Sequence, residues 1–357
     1  MKKRITILGA TGFTGRIIVE QLSETGRSFS IAGRNITTLN ELKTSVPNID
    51  KIIQIDVFDD NQMDSLLEKT DILINCVGPY NIYGQQLLTK VRFHDIIYMD
   101  LTGEQSFVKN SFDEYRNNSE KYFATILHSI SFESTLADLL AAEICHTGTC
   151  YHDISAYYIL SDMGPSPGTR LTMKLANHFP HYAYQNSNYV KASPLSLRKT
   201  INSHLIVDYN NALFMPYPEI IFYANRYKTE NAASYLLLPR GLDNVVFKND
   251  KKSQTQSVEQ IVNNHIKQNY IGPSLHKRLM QTFHLLVIAT HSDNTSKSIL
   301  LSGNDTYGIT AQLIVQCLKI CEQKQNIKAG VFAPSVFFEE TTVLNSLCKE
   351  CNCTIRL

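Results

Sequence analysis

The chain has 357 residues, enough for two domains, and 43% of them are hydrophobic, as in ordinary globular folds. Lysine plus arginine (34) nearly balance aspartate plus glutamate (33), leaving a net charge of +1 and no overall electrostatic footprint for nucleic acid or an anionic membrane. No apolar run reaches the ~18 residues that cross a bilayer, and the strand behind the basic Met1–Arg4 is too short for a signal-peptide core, so a cytoplasmic chain is expected.

The first element sets the reading. Ile5–Leu8 is a short apolar strand, followed by three glycines spaced three apart, Gly9, Gly12 and Gly15. Ile17, Ile18 and Leu22 then recur at helical spacing. Strand, glycine loop and helix open a dinucleotide-binding βαβ unit. Gly9 permits the tight turn, Gly12 lets a pyrophosphate approach the backbone, and Gly15 lets helix and sheet pack closely. The loop residues Thr11, Phe13 and Thr14 complete the expected phosphate cradle, with the helix N-terminus behind it.

A second strand at Ser28–Gly33 exits into Arg34 and Asn35. An acidic residue here would accept the ribose 2′-hydroxyl of NAD. Arg34 stands there instead, and Arg16 lies just past the loop. A guanidinium suits a 2′-phosphate, so NADP(H) is favoured over NAD(H); the plainer alternative makes Arg34 a solvated residue at a helix start. A helix over 36–44, a strand over Ile52–Val57 with Asp56 near the adenine, a helix over 61–69 and a strand over Ile72–Val77 follow.

That fourth strand ends in Cys76, Val77, Gly78, Pro79 and Tyr80, a loop running to Gly84 and facing the nicotinamide half of a cofactor. Tyr80 and Tyr83 bring hydroxyls that either act as acids or serve packing and positioning. After a helix over 85–93, a fifth strand, Ile96–Leu101, places Asp100 and Glu104 on the same rim. They form an acid/base pair, bind a substrate amine, or, for Glu104 above all, cap the helix that follows. Tyr83, Tyr80, Asp100 and Glu104 are thus the catalytic candidates.

These words together resemble the saccharopine dehydrogenase-like oxidoreductases, a group that includes trans-acting enoyl reductases. The resemblance lies in GATGFTGR at Gly9–Arg16, AGRN at Ala32–Asn35, NCVGPYNIYG at Asn75–Gly84, YMDLTGE at Tyr98–Glu104 and, more loosely, SFESTLADL at Ser131–Leu139. SGNDTYGITA at Ser302–Ala311 and AGVFAPSVF at Ala329–Phe337 add to it. It implies an NAD(P)-binding Rossmann domain followed by an α/β substrate and dimer domain, hence a homodimer acting on a small molecule by reducing or oxidising C=N or C=C bonds. It carries no agreed catalytic residue. Ser131, Glu133 and Leu136 depart from the family's Gly, Asp and Pro.

Beyond Tyr151 the β-α-β rhythm fails. Strands are expected at 157–160, 205–209, 285–289 and 298–302, helices at 169–177, 258–268 and 309–323, and a polar loop at Lys248–Gln256. Tyr182, Tyr184, Tyr189, Tyr217, Tyr223 and Tyr227 line a ligand pocket or interface, or pack a sheet. His178 and His181 read as surface or pocket-wall residues. Cys348, Cys351 and Cys353 have metal-like spacing, but no histidine lies in the last sixty residues, so no metal site is expected and the eight cysteines read as reduced thiols.

The fold class expected is α/β: an N-terminal Rossmann-type parallel sheet over 1–135, a second α+β substrate and dimerisation domain over 136–305, and a helical segment over 306–357 that packs back. Function is expected to be NADP(H)-dependent reduction of a C=N or C=C bond of a small metabolite or acyl substrate. The competing class is a non-catalytic NADP(H) sensor.

Overall fold

Every residue of Ile5–Leu8 is buried, and this strand, β1, is an interior strand of a parallel sheet. The structure, a computed structural model, describes residues 3–161, 164–239, 256–324, 327–338 and 340–357. Two units form: residues 1–135 with 306–339, and 136–305 with 340–357.

In the first unit, β1 is flanked by β2 (Phe29–Gly33), and β3 (Ile49–Gln54) pairs outside β2. On the other side lie β4 (Ile72–Asn75), β5 (Ile97–Asp100) and β6 (Thr125–Leu127). A seventh strand, β15 (Gly330–Phe332), pairs parallel outside β6. The order β15-β6-β5-β4-β1-β2-β3 puts the reversal of winding between β1 and β4, as in doubly wound nucleotide-binding sheets. All four residues of β1, of β4 and of β5 are buried, as expected of parallel strands covered on both faces. β3, at the edge, is only partly buried, which hides its position in the sequence pattern; it starts three residues earlier than the apolar run suggests.

The helices are α1 (Phe13–Glu24), α2 (Ile36–Ser45), α3 (Asp60–Leu67), α4 (Tyr80–Val91) and α5 (Gln105–Asn118). α4 corrects the sequence reading, which places a loop as far as Gly84. Gly84 is instead a helix-packing position: a Cβ there would lie 2.8 Å from the Phe107 ring on α5. The long helix α11 (Thr306–Gln323) lies against α1. Gln21 Nε2 donates to the Gly308 carbonyl at 3.2 Å, and Arg27 meets Glu322 through two 2.8 Å bonds.

The second unit is a nine-stranded mixed sheet. Its long strands are β7 (Cys150–Leu160), β12 (Lys228–Pro239), β13 (Thr282–His291) and β14 (Ser296–Asn304). β12 runs parallel to β7, and β13 antiparallel to it. The strand expected at 205–209 forms later, as β11 (Tyr209–Phe214) beside β12, and sequence reading missed β12 altogether. A hairpin, β8 (Tyr182–Gln185) with β9 (Asn188–Lys191), joins β12; β10 (Arg198–Thr200) and β16 (Thr354–Arg356) close the two ends. Residues 306–357, expected as one helical segment, divide: 306–339 go with the first unit, while β16 pairs with β14 in the second.

Tyrosines pack this sheet. Tyr151, Tyr157, Tyr158 and Tyr223 are fully buried, and Tyr157 stacks on Tyr235 with ring centroids 5.3 Å apart. Tyr158 donates to the buried Glu219 at 2.7 Å, and Tyr223 to the Ala137 carbonyl at 3.0 Å. Of the expected polar loop at 248–256, residues 248–255 lie outside the described residues. Among the described residues no three His, Cys, Asp or Glu side chains form a metal-holding group, and no helix is long and apolar enough to cross a membrane.

Candidate functional site

The carboxyl ends of β1 to β5 form one rim, stitched by backbone bonds. Gly9 N–H donates to the Ala32 carbonyl at 2.9 Å, Ile55 N–H to Gly33 at 3.0 Å, and Cys76 N–H to Leu8 at 2.8 Å. Each of the three loop glycines occupies a different environment. Gly9 has φ +79°, and a Cβ on it would lie 2.8 Å from a Val77 methyl and 3.0 Å from the Cys76 carbonyl carbon. A Cβ on Gly15 would fall on the Gly9 carbonyl oxygen. One on Gly12 would meet only that oxygen, at 3.2 Å, and otherwise open space. Gly12 is the N-cap of α1 and offers no side-chain cap, so the first amides of the helix, from Phe13 and Thr14 onward, have no side chain bonded across them. This cradle fits a diphosphate.

Arg34 is exposed at the end of β2. Arg16 does not join it: its Nε donates to the Thr11 carbonyl at 3.1 Å and braces the glycine loop. Asn35 caps α2, its side-chain oxygen accepting from Thr37 and Thr38 N–H at 3.0 and 3.2 Å. Past β3, the Asp56 carboxylate accepts the Phe58 N–H at 3.1 Å and holds a tight turn. That turn presents Phe58, 52% exposed, 5.4 Å from the Tyr83 ring. Tyr83 therefore lies toward the β3 side of the rim, apart from the residues that follow β5.

The residues after β4 and β5 interlock. The Asn75 side chain accepts from Val77 N–H at 2.9 Å and donates to the Tyr98 hydroxyl at 3.0 Å. The Tyr80 hydroxyl donates to the Asn75 carbonyl at 3.0 Å and accepts the Leu101 N–H at 3.3 Å. Burial raises its pKa well above the usual phenol range, and the nearby Asp100 charge adds to this. Burial, again helped by Asp100, pushes the Cys76 thiol up to about 12 and keeps it protonated at neutral pH.

Glu104 is nearly buried, and its carboxylate accepts the N–H groups of Tyr80 and Asn81 at 2.7 and 2.8 Å. It is a cap, but for α4, the preceding helix; α5, which it precedes directly, receives no side-chain cap from it. Burial raises its pKa against the opposing pull of those two N–H donors. Asp100 is fully buried and accepts from Ser129 N–H at 2.8 Å, Thr102 N–H at 3.2 Å and the His128 ring at 2.6 Å. The other His128 ring nitrogen lies 2.7 Å from the Ser111 hydroxyl. This is the order of a hydrolase triad, yet His128 and Asp100 are 0% exposed and Ser111 3%, so no substrate reaches it. It is a structural tie between β5, β6 and α5.

Two further residues at the rim had not been singled out. Phe58 is one. Tyr307, at the start of α11, meets Phe13 edge-on with centroids 4.9 Å apart; the motif at 302–311 was its only trace in the sequence.

The fold and this rim define a dinucleotide-binding α/β unit. Residues 5–125 match the family model of the saccharopine dehydrogenase NADP binding domain, and the resemblance to saccharopine dehydrogenase-like oxidoreductases rests there. A probable mitochondrial saccharopine dehydrogenase-like oxidoreductase of Arabidopsis thaliana is 28% identical over 149 residues, 38% of this chain and 33% of that protein. A trans-acting enoyl reductase of Mycobacterium leprae is 30% identical over 140 residues, 38% of this chain and 34% of that protein. The chain thus spans about a third of the length of these relatives. Apo saccharopine dehydrogenase (L-Glu forming) from Saccharomyces cerevisiae aligns over all of both chains with a TM-score of 0.63 and 11% identity, a likeness of fold.

Proposed function

We propose that the chain is an NADP(H)-dependent oxidoreductase of the saccharopine dehydrogenase-like type, reducing a C=N or C=C bond of a small metabolite or acyl substrate. The observation that carries this reading is the open, uncapped glycine cradle with an exposed Arg34, and no carboxylate, at the end of β2. The amides from Phe13 to Gly15 would hold the diphosphate, and Arg34 the 2′-phosphate. Asp56 and Phe58 border the adenosine half, and Cys76 to Tyr80 the nicotinamide half. Bound NADPH would supply the hydride. The chain's own part is positioning. Tyr80, Asp100 and Glu104 are committed to internal bonds, which leaves the Tyr83 hydroxyl or an ordered water to supply the proton.

That commitment of Tyr80, Asp100 and Glu104 favours a second reading, a protein that binds NADP(H) and signals its redox state without turnover. One experiment separates the two. The full chain is titrated with NADPH and then mixed with a panel of imines and enoyl thioesters while the nicotinamide absorbance is followed. Oxidation with any member supports the reductase. Tight binding with no oxidation across the panel supports the sensor, and no binding of either dinucleotide removes both.

A further inference from the structure

α10 (Leu275–Met280), in the second unit, is turned the wrong way round for a surface helix. Its arginine, Arg278, is buried and sits 3.4 Å from Asp305, while Leu275, Leu279 and Met280 point outward at 58, 54 and 69% exposure. Upstream, Ile266 ends the exposed side of α9 (Val258–Lys267), and Ile271 in the connecting loop is 88% exposed. Five of the fourteen exposed large hydrophobic residues among the described residues thus fall within positions 266–280. Scattered single exposures are normal, but a concentration of this kind marks a contact surface.

Cations outnumber anions around the patch. Lys267, His276 and Lys277 are exposed beside it. α7 (Pro167–Leu175), which packs on α9, adds Arg170 and Lys174, whose cationic groups lie 5.1 and 5.0 Å from the Tyr270 ring centroid. Between Gln256 and Gln281 the sequence has one carboxylate, Glu259, and α7 has none. The overall charge of +1 conceals this local excess.

We propose that this face docks on an anionic phospholipid surface, with Ile271, Leu275, Leu279 and Met280 entering the headgroup boundary and Lys267 and Lys277 meeting lipid phosphates and carboxylates. A second copy of the chain fits poorly, because a two-fold contact would set these cations against each other. An acidic protein fits less well than lipid. The exposed groups are aliphatic, whereas protein interfaces centre on aromatic and arginine anchors, and here Tyr270 and Arg278 are already engaged. Aliphatic side chains flanked by lysines match an interfacial membrane element.

The chain has no tryptophan, which makes the test direct. Full-length protein is sedimented with phosphatidylcholine vesicles with and without phosphatidylserine. Binding is expected with phosphatidylserine and is expected to weaken with salt. Replacing Lys267 and Lys277 with Gln should lower it roughly 30-fold, and Leu275→Ser with Leu279→Ser about tenfold or more, at unchanged melting temperature. Ile271→Trp should shift its emission to shorter wavelength and be quenched by acyl-brominated phosphatidylcholine in those vesicles, whereas Val207→Trp, exposed elsewhere in the same unit, should not. Absence of binding, or an equal response from both tryptophans, overturns the proposal. So does an Ile271→Trp shift produced by concentrating the protein alone, which assigns the face to a second copy, or by polyglutamate in place of vesicles, which assigns it to an acidic protein.

Discussion

The carboxylate of Glu104 accepts the backbone N–H of Tyr80 at 2.7 Å across 24 residues of sequence. With the Asn81 bond at 2.8 Å, this cap starts α4 where local sequence offers only Pro79. Glu104→Ala leaves two amides at the start of α4 without their acceptor, and the loss of charge-assisted bonds is expected to cost about 2–4 kcal/mol. Urea denaturation measures it. Loss of turnover at unchanged stability would instead make Glu104 a catalytic acid.

The same carboxyl has a pH signature. Its folded pKa is raised above the unfolded value by burial, so its contribution to stability is fully present below the unfolded value near 4.5 and is lost as pH rises through the folded value. Glu104→Gln removes that slope. The stability difference, wild type minus variant, should therefore be most favourable to wild type in acid and shrink as the pH is raised. Denaturation curves across that range in which the difference grows with pH would contradict the sign.

Gly12 and Gly15 should separate binding from folding. A Cβ at 15 collides with the Gly9 carbonyl, a backbone atom that cannot swing away, so Gly15→Ala is expected to destabilise by roughly 1–3 kcal/mol. A Cβ at 12 meets open space apart from one 3.2 Å neighbour, so Gly12→Ala should fold nearly normally. It stands, however, where the diphosphate would approach, and NADPH affinity should fall at least about tenfold. Thermal melts with and without NADPH report both effects.

Much of the parallel sheet was legible because its central strands are short buried apolar runs separated by helical spacing; the order of those strands in the sheet was not. Other features depended on distant partners. The α4 start depends on Glu104, and β15 is three residues that become a strand only by pairing with β6. In the second unit β12 carries Lys228, Glu230 and Asn231 at one end, and its strand character comes from β7 and β11 on either side. At the rim, residue types were read correctly as polar and ionisable. Their burial, which turns Asp100 and Tyr80 into ties, could not be seen, because it arises from His128, Asn75 and Leu101 closing over them.

Asp100, His128 and Ser111 give a prediction about what does not react. Because all three are buried, serine-directed phosphonate reagents should leave Ser111 unlabelled in the folded protein. Ser111→Ala loses one hydrogen bond and is expected to cost about 1 kcal/mol with no effect on NADPH binding. Asp100→Ala strands the Ser129 and Thr102 amides and the imidazole together, and should cost about 3–5 kcal/mol. Labelling of Ser111 by mass spectrometry would show that the site opens.

Arg34 decides between the two dinucleotides. It is exposed, with no carboxylate beside it at the end of β2, so a 2′-phosphate would be its main partner there. Removing a charge-assisted bond of this kind costs about 1.5–3 kcal/mol, which is roughly ten- to a hundredfold in affinity. Arg34→Ala is therefore expected to weaken NADPH by that factor and to leave NADH nearly unchanged. Arg34→Asp should go further and favour NADH, since a carboxylate repels the phosphate but accepts from the ribose hydroxyls. Calorimetric titration of wild type and both variants with each dinucleotide gives the ratio directly. An unchanged NADPH-to-NADH ratio in Arg34→Ala would remove Arg34 from cofactor selection, while NADPH binding to wild type in the same experiment would still stand on the glycine cradle alone.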